Sequence, residues 1–293
     1  MINVLLSIKI GLDPTIVKFA GLDITWHGLF TAAGVIVGVA VSAYLARKMG
    51  YPEDMIYNVA LALVIGGIVG ARGLYVIEHW SMFKNDLGQM FAINTGGISI
   101  YGGLIGGAIG AWGYAMITKV PNIPRGADIA GMGAIMGMAI GRIGDIINGE
   151  HFAKTTSLPW GVVYTNVNSP SYGLAPQHPA VAYEMFGDFA IFALLLFIYI
   201  RVPRAGVTFM SYVVLYAILR VFVSFLRLDT EVFMGLRTAQ LIAIVTAPLG
   251  LAALIYLLRT PPGTGSRRLG RRRALPDETP APSPPQSEEP SAG

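Results

Sequence analysis

Three arginines set in almost wholly apolar surroundings carry the strongest chemical signal in this sequence. Arg72 lies in Gly70-Ala71-Arg72-Gly73-Leu74-Tyr75, and Arg142 in Gly141-Arg142-Ile143-Gly144-Asp145-Ile146-Ile147-Asn148-Gly149-Glu150. Arg220 is followed seven residues on by Arg227, two helical turns along the same face. A charge at the centre of a bilayer costs about 2.5–3.5 kcal/mol even on the mildest scale, so each is a functional candidate. A guanidinium is always charged and offers a fork of donors that matches phosphate. One such arginine could equally snorkel to the headgroups or pair with Asp145 or Glu150 as a structural ion pair. Three at comparable depth on separate spans favour an intramembrane anion site, and a phospholipid headgroup is the phosphate most available there.

The four histidines are less specific. His27 opens an apolar stretch in Trp26-His27-Gly28-Leu29, and His178 precedes Pro179 and the Tyr183-Glu184 pair. His79 and His151 fall at helix ends or in a loop. A lone interfacial histidine is more often a structural hydrogen-bonder than a catalyst. No two histidines have ligand spacing on one helix, so no metal and no cofactor are expected. There are no cysteines, which removes disulfides, thiolate metal sites and a cysteine nucleophile.

The elements that must hold these residues follow from composition. Of 293 residues, 54% are hydrophobic and 13% charged, and the mean hydropathy is +0.58. Soluble domains carry about 25% charged residues. A disordered chain, an ordinary soluble enzyme and a nucleic-acid binder with a basic face are excluded; the net charge is only +4. Apolar stretches long enough to cross a bilayer fall near 28–46, 58–78, 97–117, 129–147, 182–200, 207–226 and 236–258. The expected fold is an all-α, polytopic transmembrane bundle of seven spans.

Lysine and arginine set the orientation. With the N-terminus outside, twelve of the 21 basic residues fall on inner segments, Arg125 among them, and six outside. The Pro-containing stretch 148–181 then forms a small external head within a transmembrane domain covering 1–260. Residues 261–293, rich in proline and arginine, read as a disordered cytoplasmic tail resting on lipid headgroups. Gly34/Gly38, Gly66/Gly70, Gly102/Gly106/Gly110 and Gly133/Gly137/Gly141 are small-xxx-small faces for close helix packing. The run at 102–110 lacks the preceding strand and the Lys-Ser/Thr of a phosphate loop.

Taken together, these motifs resemble the bacterial prolipoprotein diacylglyceryl transferases over most of 20–260. The resemblance rests on Trp26-x-Gly28-Leu29, Gly70-x-Arg72-x-x-Tyr75, Gly102-Gly103-Leu104-Ile105-Gly106, the 141–150 block, His178-Pro179-x-x-x-Tyr183-Glu184, and Arg220 with Arg227. It implies an enzyme of the cytoplasmic (inner) membrane that moves the diacylglyceryl group of phosphatidylglycerol to the cysteine thiol of a prolipoprotein signal peptide. A thioether forms and glycerol phosphate leaves. The thiol, with an ordinary pKa of about 8.5, needs a base, and the departing phosphate needs positive charge. By position, Arg142 and Arg220 hold the phosphate with Arg72 and Arg227 in support. Asn148, Glu150, Tyr183 and Glu184 orient the headgroup or the arginines. Membrane lipids are the other partners, and nucleic acid is not one.

Four residues that depart from the family pattern bear on activity. His27 stands where the family usually has Tyr, and Tyr101 where it usually has His. Facing one another, they would exchange roles, His27 as the base and Tyr101 as the hydroxyl; drifting independently, they would leave the base lost. Asp145 replaces Asn, close enough on a helix to pair with Arg142 and offset its potential for phosphate. Ser224 stands where an acid is common. These changes also admit a divergent homologue that binds phospholipid with altered or lost transfer. A transporter would show an inverted repeat with paired broken helices, and none is evident.

Overall fold

A computed structural model describes residues 7–19, 22–84, 86–91 and 96–260; the expected tail at 261–293 lies outside them. Seven helices among the described residues are long and apolar enough to cross a membrane, which makes this a multi-pass membrane protein. They are α1 (Trp26–Lys48), α2 (Glu53–Glu78), α3 (Ile100–Ile117), α4 (Ile123–Asn148), α5 (Ala180–Arg201), α6 (Val207–Ser224) and α7 (Thr238–Arg259). Each contains one of the expected spans or overlaps it closely. The largest difference is α4, which begins at Ile123 where Asn122 caps Arg125 N and Pro124 sits in the first turn.

That earlier start takes Arg125 from the segment between spans into the helix itself. It is buried in the first turn of α4, 3.4 Å from the Asp128 carboxylate and over the Tyr199 ring at 4.2 Å. Asp128 in turn accepts from Gly206 N and Phe209 N, both at 2.9 Å. Those amides open α6, whose left-handed Gly206 cannot cap them with a side chain. Tertiary partners therefore replace water for the Asp128 carboxylate, whereas Arg125 Nε and Nη2 are buried without a hydrogen bond among the described residues.

The glycine faces are where the helices meet. A Cβ on Gly34 or Gly38 would run into the carbonyls of Gly137 or Gly133, so α1 lies backbone-to-backbone along α4. Gly66 and Gly70 of α2 meet Gly106 and Gly102 of α3 in the same way. Gly141 is the exception, since a Cβ there would meet open space. Leu45, Ile129, Met132, Ile135, Ile191, Leu195 and Tyr199 from α1, α4 and α5 form the main buried core.

Short ribbons lie outside the helices. β1 (Ile8–Ile10) pairs in parallel with β4 (Val162–Tyr164). β2 (Thr15–Phe19) pairs with β3 (Leu22–Thr25), and β5 (Glu231–Phe233) with β6 (Leu236–Arg237), both antiparallel. The segment between α4 and α5 is non-helical apart from β4 and isolated bridges, among them Ala153 with Arg227.

Candidate functional site

Alternating helix direction brings the charged residues to one end of the bundle. His27, Tyr101 and Glu184 lie in the first turns of α1, α3 and α5, whereas Arg72, Arg142 and Arg220 lie in the last two turns of α2, α4 and α6.

Glu184 is the centre of the cluster. It is fully buried, and its Oε1 accepts from Arg142 Nη2 at 2.7 Å and from Arg220 Nη1 at 2.6 Å. Its Oε2 has no hydrogen bond and lies 3.6 Å from Arg227 Nη1. One carboxylate thus draws three guanidiniums from α4, α6 and the turn after α6. Arg142 Nη1 also donates to Asp145 Oδ2 at 2.8 Å, as the three-residue spacing suggests. Arg220 differs from its neighbours. Its Nε and Nη2 have no partner among the described residues, and its side chain keeps 22% of its surface open.

Asp145 joins this cluster to two histidines. Its Oδ1 lies 2.6 Å from His27 Nδ1, and its Oδ2 lies 3.6 Å from His151 Nε2. Gly144 lets α1 come this close, because a Cβ at that position would sit 2.8 Å from His27 Cα. His151, placed by sequence at a helix end or in a loop, has its Nδ1 3.0 Å from Arg227 Nη2. Lys154 N donates to Leu226 O and Leu228 N to Phe152 O, a short antiparallel patch that sets His151 beside Arg227. Asp229, also unmarked by sequence, holds Arg227 Nε at 3.0 Å. No sequence spacing links His151 to Arg227; Asp229 lies two residues beyond that motif arginine, which is the one signal it carried.

The segment between α4 and α5 closes the end of α4. A helix leaves its last carbonyls without intrahelical partners. Here Tyr164 donates to Ile146 O at 2.7 Å, Ser169 to Asn148 O at 3.2 Å and Ser171 to Gly149 O at 2.5 Å. Gly149 stops the helix in the left-handed region (φ 72°), where a Cβ would strike Ser169 and Tyr164. Burial, with the charge of Asp145 adding, pushes the Tyr164 phenol up to about 12. Asn148 Nδ2 donates to Glu150 Oε2 at 2.8 Å, and Tyr183 Oη accepts from Trp160 Nε1 at 2.7 Å.

Two expected members make their contacts elsewhere. Arg72 is buried and donates to the carbonyls of Gln89, Met90, Gly96 and Gly97 at 2.7–2.8 Å, clasping the connection between α2 and α3. Its guanidinium is occupied by backbone, which argues against a direct phosphate contact. Tyr101 is 43% exposed and its hydroxyl has no hydrogen bond among the described residues. His27 meets Asp145, and no contact joins it to Tyr101.

His27, Asp145 and Glu150 also place three ligand-type atoms within 4.8 Å of one another. The 2.6 Å separation of His27 Nδ1 from Asp145 Oδ1 is a charge-assisted hydrogen bond and accounts for that grouping without a cation.

This arrangement of arginines and buried acid at one end of seven spans can be compared with known proteins. A sequence profile for prolipoprotein diacylglyceryl transferases matches residues 14–256. The chain belongs to this family. It is 34% identical over 246 residues to the phosphatidylglycerol–prolipoprotein diacylglyceryl transferase of Clostridioides difficile, covering 84% of this chain and 96% of that one. The same-named Nostoc protein is 34% identical over 276 residues, covering 92% and 93%. That of Finegoldia magna is 35% identical over 236 residues, covering 80% and 91%. The family match spans all seven helices except the last three residues of α7, and therefore takes in every residue of the Glu184 cluster.

Proposed function

We propose that this protein transfers the diacylglyceryl group of phosphatidylglycerol to the cysteine thiol of a prolipoprotein signal peptide, at the end of the bundle where Glu184 gathers its arginines. Membership of the diacylglyceryl transferase family supports the reaction class. The observation that carries the residue roles is Arg220, whose Nε and Nη2 have no partner among the described residues, beside Arg142 paired with the buried Glu184. Arg220 presents that edge to the lipid phosphate, and Arg142 adds its charge from behind. Glu184 fixes both forks before lipid arrives, so little reorganisation is needed as charge develops.

His27 takes the thiol proton. The thiolate attacks the glyceryl carbon that bears the phosphate ester; a C–S bond forms and the C–O bond breaks. The electron pair remains on the phosphate oxygen, whose growing charge falls to Arg142 and Arg220. Glycerol phosphate departs, and the proton leaves His27 for water or for the product. Arg227, Asn148, Glu150 and Tyr183 shape the surroundings, Arg227 through Glu184 and His151. Arg72 supports them indirectly by folding the α2–α3 connection.

The distribution of basic residues supports an N-terminus outside the cytoplasmic membrane of a bacterium, with the site at its outer leaflet and 148–181 as an external head. Purified protein with labelled phosphatidylglycerol and a lipobox peptide tests the reading. Label should pass to the cysteine peptide and not to its Cys-to-Ser counterpart. Lipid binding without thiol-dependent transfer would overturn it in favour of a non-catalytic homologue.

A further inference from the structure

The transfer step needs a base, and in this chain a carboxylate touches the candidate base. Asp145 Oδ1 and His27 Nδ1 are 2.6 Å apart, though 118 residues separate them in sequence. An ionised carboxylate can only accept, so the shared proton belongs to Nδ1. A neutral imidazole then carries its lone pair on Nε2, the nitrogen on the other side of the ring. Nε2 has no partner among the described residues, and the His27 side chain is 45% exposed. Asp145 itself is only 6% exposed. Its second oxygen is held by Arg142 Nη1 at 2.8 Å with His151 Nε2 at 3.6 Å, and Glu150 approaches His27 Nδ1 to 3.6 Å. The close passage of α1 over Gly144 fixes the ring from the backbone side. A buried, doubly anchored acceptor thus faces one nitrogen of a histidine whose other nitrogen is free.

We propose that Asp145 is a positioning residue for the thiol proton transfer: it holds His27 in the Nδ1–H form, leaves Nε2 as the acceptor, and stabilises the imidazolium once the proton has moved. This rests on the transferase reading given above. In the step, the S–H bond breaks as Nε2–H forms, and the sulfur pair makes the C–S bond. The C–O pair stays with glycerol phosphate, and Nε2–H later releases its proton to water. His27 and Asp145, distant in sequence, are therefore joined into one unit through a hydrogen bond. The rival role for Asp145 is a simple counter-ion that weakens Arg142. The two differ in sign. Removing a counter-ion raises both lipid affinity and rate, whereas removing a positioning group raises or preserves affinity while the rate collapses.

The test uses the full chain in nanodiscs, with Asp145→Asn, Asp145→Glu, His27→Ala and the double variant His27→Ala/Asp145→Asn. Turnover and KM are measured with a lipobox peptide, and phosphatidylglycerol affinity and melting temperature are measured separately. Asp145→Asn should lower kcat by about 10²–10⁴-fold, the range for a lost general base, with KM for lipid unchanged or lower. Asp145→Glu should recover part of the rate. The double variant should be no slower than His27→Ala alone, since groups acting as a unit are not additive. Asp145→Asn turning over at or above the parent rate, or a fully additive double variant, would overturn the proposal. If Asp145→Asn does not fold, Asp145→Glu decides: a rate equal to the parent refutes positioning, and a reduced kcat with intact lipid affinity supports it. Absence of thiol-dependent transfer in the parent protein overturns the transferase reading instead.

Discussion

Arg220 donates to Glu184 across 2.6 Å, tying α6 to α5 at the buried centre of the site. Glu184 is fully buried, and the same oxygen accepts from Arg142. Removing one partner of a buried ion pair leaves the other uncompensated and costs about 3–5 kcal/mol. Glu184→Gln should therefore lower the melting temperature markedly and abolish transfer. A thermal-shift measurement in detergent checks the first effect, and a variant as stable as the parent would show that the arginines find other partners.

The free edge of Arg220 makes its replacement by lysine unconservative. Lysine is a point charge without the planar fork, and the loss of one donor aimed at developing charge costs about 10²–10³-fold in rate. Arg220→Lys should keep most of the lipid affinity and lose turnover by roughly that factor. A raised KM with kcat unchanged would instead point to uniform binding alone.

Arg72 offers a contrast. Its side-chain hydrogen bonds all go to backbone carbonyls of the α2–α3 connection, at 2.7–2.8 Å. Hydrogen bonds to a charged group contribute about 1.5–3 kcal/mol each at most. Arg72→Met should reduce melting temperature and expose that connection to proteolysis, while phosphatidylglycerol affinity changes little. A collapse of lipid affinity without loss of stability would return Arg72 to the phosphate.

Tyr164 supplies a pH prediction. Its phenol is raised to about 12 in the folded protein, against about 10 in an unfolded chain. Between those values the unfolded state releases a proton that the folded state retains, so stability falls as pH rises. Below about 10 both states hold the proton and the stabilisation is fully present. Melting temperature should decline between about pH 10 and 12, and Tyr164→Phe should flatten that decline at the cost of an uncapped Ile146 carbonyl. An unchanged alkaline slope in the phenylalanine variant would remove Tyr164 as its source.

The seven spans were legible because hydropathy over a bilayer's length depends only on nearest sequence neighbours. The start of α4 was not, since Arg125 and Asp128 look like loop residues until Tyr199 and the amides of α6 are placed around them. Arg142, Arg220 and Glu184 were identifiable as charged residues inside apolar stretches. Their meeting at one end follows from helix alternation, which the sequence order already contains. How Arg72 lends its support was not legible, because no spacing rule shows that its donors reach Gln89, Met90, Gly96 and Gly97. Sequence left open whether His27 faces Tyr101; it meets Asp145, whose spacing from it carries no local signal. The importance of His151 depends on its strand-like pairing with the turn after α6, a tertiary contact.

The glycine faces have a consequence for how this protein tolerates sequence change. At Gly34, Gly38, Gly66, Gly70, Gly102 and Gly106 the nearest obstacle to a Cβ is a carbonyl of the opposing helix. A crowded side chain can rotate away, but a helical carbonyl is fixed by its own hydrogen bond. Saturation mutagenesis should therefore trace intolerance at a stride of four down α1, α2 and α3, far from any reacting atom. Gly73 and Gly113, which face open space, should accept alanine freely, so the same residue type marks both the most and the least replaceable positions in the bundle.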